Sequence, residues 1–171
     1  MIELDLSELL LEEGVLRERT KPDAPFNGLM VESFSPGHIR SRSVVSNGLL
    51  EGLSEGFYTN GVRQIEEHFQ GGVSHGLRTK WHSNGQLMSK AAIVEGELHG
   101  LYESWDAAGN RETWIEMSQG KPHGLSVAFF PSGYLKSRVE LDHGIVISRQ
   151  EWDETDRQEP PSAMSGMNGR P

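Results

Sequence analysis

A chain of 171 residues with a net charge of −9 and no cysteine is long enough for one domain, and its make-up excludes disulfide frameworks, thiolate metal sites and cysteine nucleophiles. No hydrophobic run approaches membrane-spanning length, and no cluster of Lys and Arg forms the basic stripe that nucleic acid or anionic lipid requires. The acidity either matches a basic partner or serves only solubility.

Residues 1–27 begin MIELDLSELLLEEG. The apolar stretch is flanked by acids and not by the basic residues of a signal peptide, so a cytoplasmic location is expected. Leu9, Leu10 and Leu11 belong either to one or two helical turns or to an irregular strand, and they need cover. The open end of a sheet is the obvious place, which makes residues 1–27 a leading, capping segment.

From Gly28 onward the chain repeats every 24 residues. Five units begin at Gly28, Gly52, Gly76, Gly100 and Gly124, each followed by leucine, with further glycines at offsets 9 and 20 counted from the first. Glycine at a fixed offset signals a backbone that needs positive φ, in a turn or a bulge. The segments between are too short for ordinary helices and are punctuated by Ser-Asn-Gly, Thr-Asn-Gly and Pro-Ser-Gly. Each unit therefore reads as a β-hairpin. The fold class is all-β: an elongated antiparallel meander of five 24-residue hairpin repeats in a single twisted sheet, occupying residues 28–152.

Loop length decides which side chains share a face. A three-residue loop ending in the offset-9 glycine places offsets 1, 5, 11, 15 and 17 together, and 20 of those 25 residues are apolar. Repeat one should turn differently, because Pro36 fits such a loop poorly. Ile145, Val146, Ile147 and Trp152 are expected to cover the far end of the sheet. The tail, residues 153–171, has the Pro, Ser, Gly and charge content of a segment that stays unstructured.

Histidine recurs in Gly-x-x-His-Gly at His75, His99 and His123. Equivalent residues two strands apart are about 9–10 Å apart, too far to share a metal ion. These histidines are read as structural turn residues whose imidazoles bond backbone groups, and no metal or other cofactor is expected. Catalysis is not expected either. Adjacent Glu66 and Glu67 point to opposite faces, and Gly72-Val-Ser74-His-Gly76, although it spells Gly-x-Ser-x-Gly, joins two hairpins instead of a strand and a helix.

What remains is the face opposite the leucines. It carries Tyr58 and His82 at offset 6, Tyr102, and Trp114 flanked by Glu112 and Glu116. These residues serve either as a protein-binding surface or as cross-strand packing partners. Trp114 stands apart because the other units have Arg42, Glu66, Lys90 and Arg138 at its offset.

The cadence GLRTKWHSNGQLMSKAAIVEGELHG resembles the variant MORN (membrane occupation and recognition nexus) repeat of bacterial YwqK-type antitoxin proteins. The likeness covers residues 28–144. It extends upstream to Pro25-Phe26-Asn27-Gly28, with Arg17 or Arg19 where a tyrosine is common. The resemblance implies an antitoxin or immunity protein that blocks a cognate toxin by direct binding, and the net negative charge points to a toxin that is basic. The alternative is a MORN-type interaction scaffold with no toxin partner. Both are compatible with homo-oligomers.

Overall fold

The computed structural model describes residues 1–161 and Met164. Thirteen strands belong to one large, mainly antiparallel sheet and three to a small one. The chain divides into two compact units, residues 1–85 with 93–96, and residues 86–92 with those from 97 onward. Among the described residues, no helix is long and apolar enough to cross a membrane.

In the first unit, β1 (Glu3–Asp5) leads into a 3-10 turn, Leu6–Glu8, whose first N–H groups are capped by Asp5. The strands β2 (Leu9–Glu12), β3 (Val15–Glu18) and β4 (Lys21–Pro25) form the small sheet. Then come β5 (Gly28–Ser35), β6 (His38–Ser46), β7 (Leu49–Phe57), β8 (Arg63–Gln70), β9 (Val73–Ser74) and β10 (Gly76–Trp81). Their order in the sheet is β1-β5-β6-β7-β8-β10, with β9 also on β8. In the leading segment, β1 lies parallel to β5 with Leu4 beside Met30. Leu9 is buried with Phe26 and Val45, against Leu16 and Leu50. Leu11 shares the face of Leu9 by strand alternation but is exposed, at the edge of the small sheet.

Gly48 ties the small sheet down. It donates to the Phe26 carbonyl at 2.8 Å and accepts from Leu16 N–H at 2.8 Å. Its φ is +74°, and a Cβ there would lie 2.3 Å from Val15 Cγ1 and 2.7 Å from the Leu16 carbonyl oxygen. Gly48→Ala therefore combines left-handed strain with a backbone clash and is expected to cost about 2 kcal/mol, read from a denaturant midpoint. Gly37→Ala is the control, since it shares the positive φ but meets nothing within 4 Å.

The strand β11 (Leu87–Val94) contributes to both units. The second unit continues with β12 (Glu97–Trp105), β13 (Arg111–Ser118), β14 (Lys121–Phe129), β15 (Leu135–Asp142) and β16 (Ile145–Glu151), ordered as a meander. Val127, Phe129, Leu135 and Met164 form its core, with Trp114, Leu125 and Trp152 packed against them.

Two kinds of turn alternate along the meander. The hairpin tips have the three-residue loop: Tyr58 N–H donates to Val62 O at 2.8 Å, Gly61 N–H to Tyr58 O at 2.9 Å, and Gly61 has φ +80°. Between units the loops have two residues, both with positive φ, as in Asn47-Gly48, Glu95-Gly96 and Gln119-Gly120. These are the signs of type I′ turns, whose twist matches the flanking strands. Repeat one turns differently, as expected, through Pro36 and Gly37 between Ser35 and His38.

The shared apolar face needs correction. Phe57 pairs with Arg63, but Gly56 pairs with Ile65, so Gln64 is an extra residue on its strand. Leu53 is consequently opposite His68 and not Glu67. Beyond this bulge, offsets 1 and 3 share a side with 14 and 16, while 13, 15 and 17 face the other way. Burial follows the true register, with Val31, Glu55, Thr79 and Val127 on one side, and Ser43, Val45, Ala91 and Ile93 on the other.

The far end also differs from expectation. Trp152 packs on the core, but Ile145, Val146 and Ile147 are exposed because β16 is the last strand of the sheet order. The tail read as unstructured is placed over residues 153–161. Asp153 caps a 3-10 turn at Glu154–Asp156, and Gln158 O accepts from Leu135 N–H at 2.8 Å. Met164 supplies apolar surface that the polar composition of the segment concealed. Residues 162–163 and 165–171 of that tail lie outside the described residues.

Candidate interaction surface

Trp114 stands opposite both Glu103 and Val127 in the register and packs against the Val127, Phe129, Leu135 and Met164 cluster. It is thus a flank of the core and not an outward anchor. Tyr102 pairs with Ile115, the neighbour of Trp114, so it emerges on the opposite face. Glu112 is the extra, exposed residue of its bulge, between Arg111 opposite Trp105 and Thr113 opposite Ser104. Glu116 is exposed, but its carboxylate accepts from Leu125 N–H at 2.6 Å. These four therefore form no common patch.

Tyr58 and His82 do belong together. Each begins a hairpin tip, accepting from Gly61 N–H and Gly85 N–H respectively, and each is half-buried. The Tyr58 hydroxyl donates to the Trp81 carbonyl at 2.9 Å, and Asn60 Nδ2 to Ser83 O at 2.8 Å, which joins the two tips.

Beside Tyr58 lies a cleft of about 310 Å³ at the tips of repeats one and two, lined by Phe34, His38, Ile39, Arg42, Phe57 and Tyr58 among others. Its rim is cationic and aromatic. Arg42 lies over the Phe57 ring at 5.6 Å and Arg40 over Phe34 at 5.8 Å. Arg42 is held from below by Glu55, at 2.6 Å, and the second carboxylate oxygen of Glu55 takes Arg63 at 2.7 Å. Arg63 in turn lies over Trp81 at 5.5 Å. Glu55 is only 4% exposed, so its charge is neutralised by two guanidinium groups that each keep one side in water. The second unit has part of this arrangement, with half-buried Glu103 and Arg111 at 3.2 Å and Arg111 lying 5.9 Å from both the Trp105 and Phe129 rings. An apolar cleft with a pre-positioned guanidinium can take an aromatic or aliphatic side chain with a neighbouring carboxylate.

The recurring histidines lie just before the bulge glycines. His75 and His99 are exposed, and among the described residues neither imidazole has a hydrogen-bonding partner. The expected backbone bond is not made, and both side chains are exposed to solvent. His99→Ala should accordingly leave stability within about 0.5 kcal/mol of the parent by thermal melting. His123 differs. Its Nδ1 lies 3.2 Å from Asp142 Oδ1, which is also 2.6 Å from His143 Nδ1. The hydrogen bond with His143 is the main reason that the Asp142 carboxyl is held below its usual range. This pair leaves no trace in the spacing of equivalent residues of successive units. Offset 23 of one unit actually meets offsets 18 and 19 of the next.

A sheet built from tandem two-strand units, with two turn types in alternation, defines a hairpin-repeat protein. Residues 50–70 and 74–91 match the MORN repeat variant, so the chain carries variant MORN repeats there. No curated protein matches the chain. These repeats suggest a protein–protein interaction scaffold.

Proposed function

We propose that this protein neutralises a cognate bacterial toxin by direct, stoichiometric binding, with the tips of repeats one and two as the contact surface. The observation that carries the binding reading is the cleft beside Tyr58, where Phe34 stays 43% exposed and Arg42 is fixed by a buried carboxylate. Aromatic and arginine side chains held in place by the fold concentrate binding energy, since little ordering cost remains. The toxin as partner follows from the likeness of the repeats and of Pro25-Phe26-Asn27-Gly28 to YwqK-type antitoxins. A net charge of −9 suits a toxin that is basic overall, and the absence of cysteine suits the cytoplasm. In this reading the protein acts by occlusion and has no catalytic role.

The test is co-expression with the product of the adjacent gene. Growth arrest by that product alone, relieved by this chain, supports the reading. A harmless product, or toxicity that persists despite soluble expression of this chain, sinks it in favour of a scaffold with another partner. Phe34→Asp should weaken binding by about 2 kcal/mol, the scale of an interface anchor, in a titration of the purified pair. Because the ring is exposed, the melting temperature should hardly move.

A further inference from the structure

We propose that His123, Asp142 and His143 form a binding site for one divalent ion of the zinc, nickel or copper class. His123 lies on β14 immediately before the bulge at Gly124, and Gly124 is opposite Leu141 on β15. The next turn folds back over it, with Gly144 N–H donating to the Pro122 carbonyl at 2.7 Å. That closure brings the Nδ1 atoms of both histidines onto one carboxylate oxygen, at 3.2 and 2.6 Å. The three ligand atoms all lie within 4.8 Å of one another, and the rings stand 4.3 Å apart, tilted by 43°.

Tetrahedral zinc with nitrogen and oxygen ligands at ~2.0–2.2 Å separates its donors by roughly 3.4 Å. The His123 contact already has that spacing. The His143 contact has to open by less than about 1 Å, which the rotamers of exposed side chains allow. Two imidazoles and one carboxylate favour borderline transition ions over calcium or magnesium, which prefer oxygen ligands throughout. Water completes the coordination, because all three side chains are exposed.

The hairpin itself does not demand these residues. One repeat earlier the same closure is made by Gly120 N–H to Leu98 O at 2.9 Å. There Ser118 and Gln119 stand where Asp142 and His143 do. Among the described residues, the last such junction alone combines three metal-binding side chains.

The experiment is a zinc chloride titration of the full, tag-free chain, followed by calorimetry and by the imidazole resonances. Saturable binding of one ion per chain is expected, with His123 and His143 shifting together while His75 and His99 stay still. His143→Ala and Asp142→Asn should each weaken binding at least about tenfold, the loss that follows from disturbing a ligand set. No saturable binding, equal binding by the His143→Ala chain, or shifts confined to other histidines would overturn the site.

Discussion

Replacing both Arg42 and Arg63 with alanine is expected to destabilise the first unit by about 3–5 kcal/mol, whereas Glu55→Val costs less than about 1 kcal/mol. The two changes break the same ion pairs, at 2.6 and 2.7 Å, yet they leave different remnants. Without the arginines, a carboxylate that is 4% exposed is stranded among packed side chains. Without the carboxylate, both guanidinium groups are still solvated, Arg63 keeps Glu66, and each keeps an aromatic ring, Phe57 or Trp81. The fold also accepts an apolar residue at this offset, since Val31 and Val127 are buried there in other repeats. Urea denaturation of the three chains decides the matter. Equal losses for the double arginine change and for Glu55→Val would show that the pair stabilises by attraction alone and that burial of the carboxylate is not what is at stake.

The second large effect is expected at Trp114. Trp114→Ala should cost about 3–4 kcal/mol, at the lower side of the range for large-to-small core changes because the indole is only half-buried. The ring contributes one wall of the cluster around Val127, Phe129 and Leu135, and Met164 reaches the same cluster from the tail. Its removal should therefore loosen residues 153–161 as well, seen as faster hydrogen exchange at Leu135 N–H, which donates to Gln158 O. Unchanged stability with impaired partner binding would return Trp114 to the role of an outward anchor.

Much of the architecture is legible from glycine and leucine spacing alone. The 24-residue interval, the three-residue tips and the different turn at Pro36-Gly37 all follow from residues whose backbone demands are specific. The side-chain faces were not legible. A single extra residue, Gln64 or Glu112, changes the register without leaving any mark in composition, and every residue beyond it is reassigned. That is why Trp114 reads as outward in the sequence and lies against a core in the structure. The Tyr58 and His82 tips were legible because they precede the bulge. The Arg42–Glu55–Arg63 ladder beneath the cleft was not, since its members are 13 and 8 residues apart and meet only through strand pairing.

An acid paired with arginine recurs, buried at Glu55 with Arg63 and half-buried at Glu103 with Arg111, so the chemical period is 48 residues, twice the backbone period. Between them come Thr79 and Leu87 at the same offsets. The sheet thus has parity. Inserting or deleting one hairpin beside repeat two or four would set two charged rows, or two neutral ones, next to each other, although every turn and glycine would still fit. Growth or loss in pairs keeps the alternation. An inserted 24-residue hairpin should therefore cost more stability than an inserted 48-residue pair, a difference that urea denaturation reads.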